Sequence, residues 1–231
     1  QIGGSDQWGN ITAGTDLIRR IDDATAFGLT LPLVTKTDGS KFGKTESGTV
    51  WLDPRKTSPY EMYQFWLNTA DADAGAFLKY FTFLERERIE ALEAGVRHHP
   101  EQREAQRVLA REVTTLVHGE TATQEAEAIT RAFFSGDLGA LTEGQLAQAC
   151  QGMPRTELTD GDLGALSLVE LLTRVGLAES KKRGRELVAA GAIQVNGQPA
   201  RSADARVSRD LARYGRFIIL RKGKKTYHLA L

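Results

Sequence analysis

The 231 residues, 41% apolar and 26% charged with a formal net charge of zero, suit one large or two to three small globular domains and hold no stretch apolar enough for a membrane span. A single cysteine, Cys150, excludes an internal disulfide and fits a reducing compartment, and the four histidines show no metal-ligand spacing, since His98 and His99 are adjacent and cannot share one face of an element. The zero sum conceals a split: residues 1–179 carry 17 Lys and Arg against 27 Asp and Glu, whereas residues 180–231 carry 13 against 3, so a short basic module follows an acidic body.

In chain order, residues 1–36 read as strand end, loop, helix and strand. Gln1-Ile2-Gly3-Gly4-Ser5-Asp6-Gln7-Trp8-Gly9-Asn10 leads into a helix with Leu17, Ile18 and Ile21 on one face, Gly28 reads as its stop, and Leu29–Val34 reads as a strand. That is the rhythm of a parallel sheet, in which ligands sit at the carboxyl ends of strands, where the Gly-Gly-Ser-Asp-Gln turn would lie. Gln1 falls inside this apparent motif with no initiator Met, so a fragment of a longer parent is expected.

Residues 38–48, Asp-Gly-Ser-Lys-Phe-Gly-Lys-Thr-Glu-Ser-Gly, resemble the phosphate loop G-x-x-x-x-G-K-S/T only superficially. Three residues separate Gly39 from Gly43 where four are needed, and the residues after Lys44 favour a strand at Thr49–Leu52 before Pro54, so no helix is placed to receive a nucleotide. Two lysines three apart on a Gly-containing loop still suit a polyphosphate, because each ammonium is a point charge that can swing onto anionic oxygens.

Beyond Pro54 the chain reads as helical. Ser58-Pro59-Tyr60-Glu61 supplies an N-cap, a first-turn proline and the Glu of a capping box for a helix through Leu67. Further helices are predicted over Asp71–Tyr80, Glu85–Ala94, Glu101–His118 and Thr121–Phe134, with Ala105, Val108, Leu109, Val113, Leu116 and Val117 as an apolar stripe and the aromatics Tyr60, Tyr63, Phe65, Trp66 and Phe77 as core. Residues 135–165, rich in glycine and broken by Pro154, read as a linker with room for one strand or helix. The basic module, 166–231, opens with a helix over Leu166–Leu177. Ser180 then caps Lys181–Ala190, which turns Gly184, Leu187 and Val188 inward and Lys182 and Arg185 outward. Strands at Ile193–Val195, Phe217–Leu220 and Thr226–Leu229 come next, with an Asn196-Gly197 turn. Such a module suits RNA or DNA, because neutralising phosphates releases counterions.

Three of these stretches, Gly3-Gly4-Ser5-Asp6-Gln7-Trp8-Gly9-Asn10, Lys41-Phe42-Gly43-Lys44-Thr45 and the basic helix and turn of 180–199, together resemble bacterial tyrosyl-tRNA synthetases. Lys-Phe-Gly-Lys-Thr corresponds to the K-M-S-K-S loop of the class I enzymes, and the terminal module is similar to an RNA-binding domain shared with a ribosomal protein of S-four type. The resemblance implies an α/β plus α+β multidomain fold: residues 1–53 as the end of a Rossmann-like catalytic domain, 54–134 as a helical anticodon-region domain, 135–165 as linker and 166–231 as the RNA-binding domain. It implies a ligase that joins tyrosine to the α-phosphate of ATP, with Mg2+ accompanying the ATP, and passes the tyrosyl group to the 3′ end of tyrosine tRNA. Lys44 and Lys41 would stabilise charge on the departing pyrophosphate. Gly4, Asp6, Phe42, Gly43, Lys44 and Thr45 would contact ATP or the adenylate, with Asp6 on the ribose hydroxyls, and Gln1 and Gln7 would orient tyrosine. Lys181, Lys182, Arg185, Arg201 and Arg209 are the candidate RNA contacts.

On residues alone, each lysine also fits a solvated loop, Asp6 also fits a cap for the following helix, Trp8 fits packing, and the basic residues fit solvent. The resemblance further implies a cytoplasmic homodimer, no protein-bound metal and no membrane. The His-x-Gly-His signature of the family does not occur, and His98-His99-Pro100 does not replace it, so this chain alone is expected to be inactive in adenylate formation. The rival reading is a non-enzymatic RNA-binding protein using residues 166–231.

Overall fold

A computed structural model describes residues 1–37, 42, 44–45, 48–223 and 226–230. The chain forms two compact units, 1–50 and 51–231.

In the first unit, β1 (Ile2–Gly4) runs parallel to β2 (Leu29–Leu31), with Ile2 opposite Leu29 and Gly4 opposite Leu31. A 3-10 turn over Ser5–Gln7 and then α1 (Trp8–Asp22) connect them, so the element order is strand, turn, helix, strand. Two expectations change here. The helix stops at Asp22 with Asp23 in the left-handed region (φ +47°), so Gly28 is not its cap; a Cβ on Gly28 would lie 2.4 Å from Ile11 Cγ2, and its smallness admits the one buried side chain of α1. The second strand ends at Leu31, one residue before Pro32, which has no N–H to extend the ladder. Leu17, Ile18 and Ile21 share a face as expected but are exposed within this chain. β3 (Lys44–Thr45) and β4 (Gly48–Thr49) form a short antiparallel pair. The strand expected over Thr49–Leu52 stops at Thr49, because a turn centred on Asp53 draws the chain back: Lys56 and Thr57 amides donate to the Asp53 carbonyl, and Trp51 N–H donates to Thr57 Oγ1 at 2.9 Å.

The second unit begins with a bundle of five helices: α2 (Pro59–Leu67), α3 (Asp71–Phe81), α4 (Arg86–His98), α5 (Glu104–His118) and α6 (Glu120–Ser135). The capping box at the start of α2 forms in both directions, with Ser58 Oγ accepting from Glu61 N–H and the Glu61 carboxylate accepting from Ser58 N–H. The helix predicted from Glu101 is interrupted: Pro100–Gln102 is a 3-10 turn, and Arg103, at φ +50°, sends its guanidinium back to the Leu67 and Thr69 carbonyls at the end of α2. The core of the bundle contains Met62, Tyr63, Trp66, Phe77, Leu78, Leu92, Leu109 and Val113; Leu116, expected in the apolar stripe, points to solvent.

Residues 135–165 carry more structure than a spacer. They hold a 3-10 turn (Leu138–Ala140), α7 (Glu143–Ala149) with its own Thr142–Gln145 capping box, and β5 (Arg155–Thr156). The module adds α8 (Leu168–Arg174), shorter at both ends than expected because Ser167 caps its start and Gly176, at φ +75°, follows its C-cap Val175. It also adds α9 (Lys181–Ala189), β6 (Ile193–Val195), β7 (Gln198–Pro199), β8 (Ile218–Lys222) and β9 (Thr226–Ala230). The sheet order is β5-β9-β8-β6-β7, with β5 parallel to β9 and the other pairs antiparallel.

Strand alternation gives the sheet two apolar faces. Ile218, Leu220 and Ala230 pack with Leu171, Leu172 and Leu187 of α8 and α9. Phe217, Ile219 and Leu229 pack instead with Ile129 and Phe133 of α6, Leu138, Leu141, and Leu146 and Cys150 from α7. The module is therefore docked on the bundle through one core. Burial keeps the Cys150 thiol protonated, with its pKa pushed up to about 12, as expected of a small buried hydrophobe. The dock is closed by backbone at its edge: Gly136 (φ +81°) and Gly197 (φ +82°) lie so close that a Cβ on Gly197 would sit 2.1 Å from the Gly136 carbonyl oxygen. Tyr214 Oη donates to the Leu141 carbonyl at 2.6 Å and Arg213 to the Gly139 carbonyl at 3.0 Å.

Candidate active site and nucleic-acid interface

The Gly-Gly-Ser-Asp-Gln turn emerges at the carboxyl end of a parallel strand, the position at which open α/β sheets bind ligands. Gly4 lies close to its neighbours: a Cβ there would lie 2.6 Å from Asp6 Oδ1 and 2.7 Å from Leu33 Cδ2, so both side chains would have to move. Asp6 and Gln7 are brought together, Gln7 Nε2 donating to Asp6 Oδ2 at 3.2 Å while Gln7 Oε1 accepts from Asn10 Nδ2 at 3.1 Å. Neither the turn nor α1 has a side-chain cap, so the capping reading of Asp6 is not realised, and its exposed carboxylate retains acceptor capacity for a ligand hydroxyl. Gln1 is exposed, and its carbonyl accepts from Leu29 N–H at 2.9 Å, extending the β1–β2 ladder. Trp8, assigned to packing from sequence, is half exposed in this chain.

Of the lysine segment, Lys41 and Gly43 lie outside the described residues. Phe42 is half-buried in a turn, and Lys44 and Thr45 form β3, paired with Thr49 and Gly48. A strand in place of a helix after Lys44 sets this segment apart from the phosphate loop of ATPases.

The module presents α9 with Ser180 Oγ accepting from Arg183 N–H, with Gly184, Leu187 and Val188 buried, and with its cations outward. Three of the five candidate RNA contacts are ion-paired: Lys181 Nζ with Glu170 at 2.8 Å, Arg185 with Asp204 at 3.3 Å, and Arg209 with Asp160. The Lys181 ammonium and the Ser167 N–H and hydroxyl hold the Glu170 carboxyl down to a pKa of about 2. Lys182 and Arg201 are exposed and have no side-chain partner among the described residues. Sequence reasoning missed the β8–β9 hairpin as a candidate contact, although Arg221-Lys222-Gly223-Lys224-Lys225 places four cations in five residues around a turn glycine at φ +61°; Lys224 and Lys225 lie outside the described residues.

Compared with known proteins, residues 1–135 match the family described as tRNA synthetases class I (W and Y), more than half of the chain. The chain belongs to this class I synthetase family. Residues 145–230, which take in most of α7, β5 and nearly all of the basic module, match the family described as the tyrosine--tRNA ligase SYY-like C-terminal domain. The tyrosine--tRNA ligases of Geobacillus kaustophilus and Geobacillus stearothermophilus are each 54% identical to this synthetase chain over 230 residues, covering 99% of it and 54% of the relative. The tyrosine--tRNA ligase of Aliivibrio fischeri is 54% identical over the same length, covering 53% of the relative. The chain thus spans about half the length of the curated relatives it matches. Among the described residues no helix is long and apolar enough to cross a membrane, and no group of three or more His, Cys, Asp or Glu side chains is gathered to hold a metal ion.

Proposed function

We propose that this chain is the part of a tyrosine–tRNA ligase that carries the adenylate-facing turn, the lysine segment and the RNA-binding half. The observation that carries the reading is the joining, in one synthetase-family chain, of a Gly-Ser-Asp-Gln turn at the end of a parallel strand to a module whose α9 is apolar inward and basic outward. The 54% identity to tyrosine ligases over nearly the whole chain supports tyrosine over tryptophan. Residues 1–53 are then the end of a Rossmann-like domain, 54–134 an anticodon-region domain and 166–231 the RNA-binding domain.

In the proposed reaction the tyrosine carboxylate attacks the α-phosphate of ATP and pyrophosphate leaves; a ribose hydroxyl at the 3′ end of tyrosine tRNA then attacks the tyrosyl carbonyl of the adenylate, and AMP leaves. Asp6 accepts from the ribose hydroxyls, Gly4 allows the backbone close to the adenosine, and Gln7 and Gln1 orient tyrosine. Lys44 and Lys41 meet charge that builds on the leaving pyrophosphate, which favours the transition state over the ground state. Gly43, Phe42 and Thr45 complete the loop. Mg2+ would accompany the ATP phosphates and offset their negative charge. The reading also carries a cytoplasmic homodimer, as the family resemblance implies.

The test is aminoacylation by the intact enzyme with tyrosine and tryptophan offered separately. Charging of tyrosine tRNA with tyrosine alone is expected; charging with tryptophan, or RNA binding with no charging of either amino acid, overturns the reading.

A further inference from the structure

The seam where the module docks on the bundle holds a cleft of about 600 Å³. It is lined by the start of α2, by Gln148 of α7 and Gln151 just after it, and by Arg155 of β5 and Arg216 just before β8. Buried Phe217 and Leu229 also line it, and no carboxylate does. Arg155 is exposed and has no side-chain partner among the described residues. The Arg216 guanidinium lies 4.8 Å over the Phe217 ring and 3.8 Å from Glu143, a loose and exposed ion pair that contributes little. At the start of α2, Pro59 has no N–H and the Glu61 N–H donates to Ser58 Oγ, so the charged anion-seeking groups of the cleft are the two arginines.

Guanidinium forks match phosphate oxygens two at a time, and glutamine amides can both donate to and accept from a sugar or base edge. We infer that this cleft takes one nucleotide of the bound RNA, its phosphate held by Arg155 and Arg216 and its sugar or base beside Gln148 and Gln151. The inference rests on the RNA-binding reading above and deepens it. The cleft opens on the sheet face that packs on α6 and α7, whereas α8 and α9 cover the other face. An RNA that reaches both α9 and the cleft therefore passes round an edge of the sheet and touches bundle and module together, and the dock through Phe217, Ile219 and Leu229 fixes the spacing of the two contacts.

The experiment is filter binding of the 231-residue chain to a tyrosine tRNA transcript across a salt series, for wild type, Arg155→Ala, Arg216→Ala, the double variant Arg155→Lys with Arg216→Lys, and Glu143→Gln. Each alanine variant is expected to bind about tenfold more weakly at about 0.1 M salt, as for the loss of one charged hydrogen-bonding partner, and to lower the log–log salt slope by up to the roughly 0.7–0.9 of one phosphate contact. The double lysine variant should keep the wild-type slope, and Glu143→Gln, which releases Arg216, should bind at least as tightly as wild type. Wild-type affinity and slope in both alanine variants, with the wild type itself binding tRNA, would overturn the cleft and leave the RNA reading standing. Absence of saturable binding by the wild type would remove both. A parallel calorimetric titration with AMP separates a free-nucleotide pocket from an RNA contact: saturable AMP binding lost in the alanine variants without change in RNA affinity also overturns the inference.

Discussion

Gly184→Ala probes the packing that turns the cations of α9 outward. Gly184 is buried where α9 crosses α8, and a Cβ built on it would lie 2.6 Å from Val169 Cγ2, about 1 Å inside the ordinary carbon–carbon separation. Both contacting atoms belong to helices locked into one core, so relief requires a shift of α9 or an unfavourable rotamer of Val169, costing about 1–3 kcal/mol. Alanine regains about 1 kcal/mol of helix propensity over glycine. The expected net loss is therefore about 1 kcal/mol, or a fall of about 2–4 °C in Tm for a unit of this size. Val169→Ala alone should cost about 2 kcal/mol through lost burial and a residual cavity. In the double variant the new methyl enters the vacated space, so the two changes should combine to less than their sum by about 1 kcal/mol or more. Urea unfolding followed by circular dichroism measures all four species. Strict additivity within about 0.5 kcal/mol, or net stabilisation by Gly184→Ala, would show that α8 and α9 do not approach as described.

Ser58→Ala removes the reciprocal cap of α2 and should destabilise the second unit by about 1 kcal/mol, read as a lower urea midpoint with unchanged slope. Burial lowers the pKa of His228, which lies 2.9 Å from Thr156 Oγ1, and also that of His118; the unfolded chain then binds more protons than the folded one between each lowered pKa and the ordinary 6.5. Stability should therefore be fully present above about pH 6.5 and fall as the pH drops through that window, and His228→Gln should flatten part of the slope in a series of thermal melts. Glu170→Gln frees Lys181 from its ion pair and should leave tRNA binding undiminished at low salt; a clear loss would mean that Glu170 positions Lys181 for RNA.

Some elements are legible in a local window. Ser58-Pro59-Tyr60-Glu61, Ser180 and Asn196-Gly197 each name a cap or turn by chemistry that acts over about four residues, and all three form. The Gly-Ser-Asp-Gln turn is legible for the same reason, since only its immediate neighbours fix it at the end of β1. The role of 135–165 is hidden because its stabilising partners are distant in sequence: Leu141 and Cys150 meet Phe217 and Leu229 across about seventy residues or more, and β5 gains its strand character only from β9. Charge is similarly ambiguous. Lys181, Arg185 and Arg209 read as free cations in sequence, yet Glu170, Asp204 and Asp160 come to them only in the fold. Arg155 and Arg216 attract no notice in a linear reading, being about sixty residues apart, and become a pair only at the docking seam.

The most direct test of the account separates the two chemical steps in the intact enzyme carrying Lys44→Ala. Rapid-quench measurement of adenylate formation from tyrosine and ATP should show a rate lowered about 10²–10³-fold, while transfer of tyrosine to tRNA from adenylate already formed on the enzyme proceeds at the wild-type rate. Equal slowing of both steps, or a normal rate of adenylate formation, would contradict the role assigned to the lysine segment.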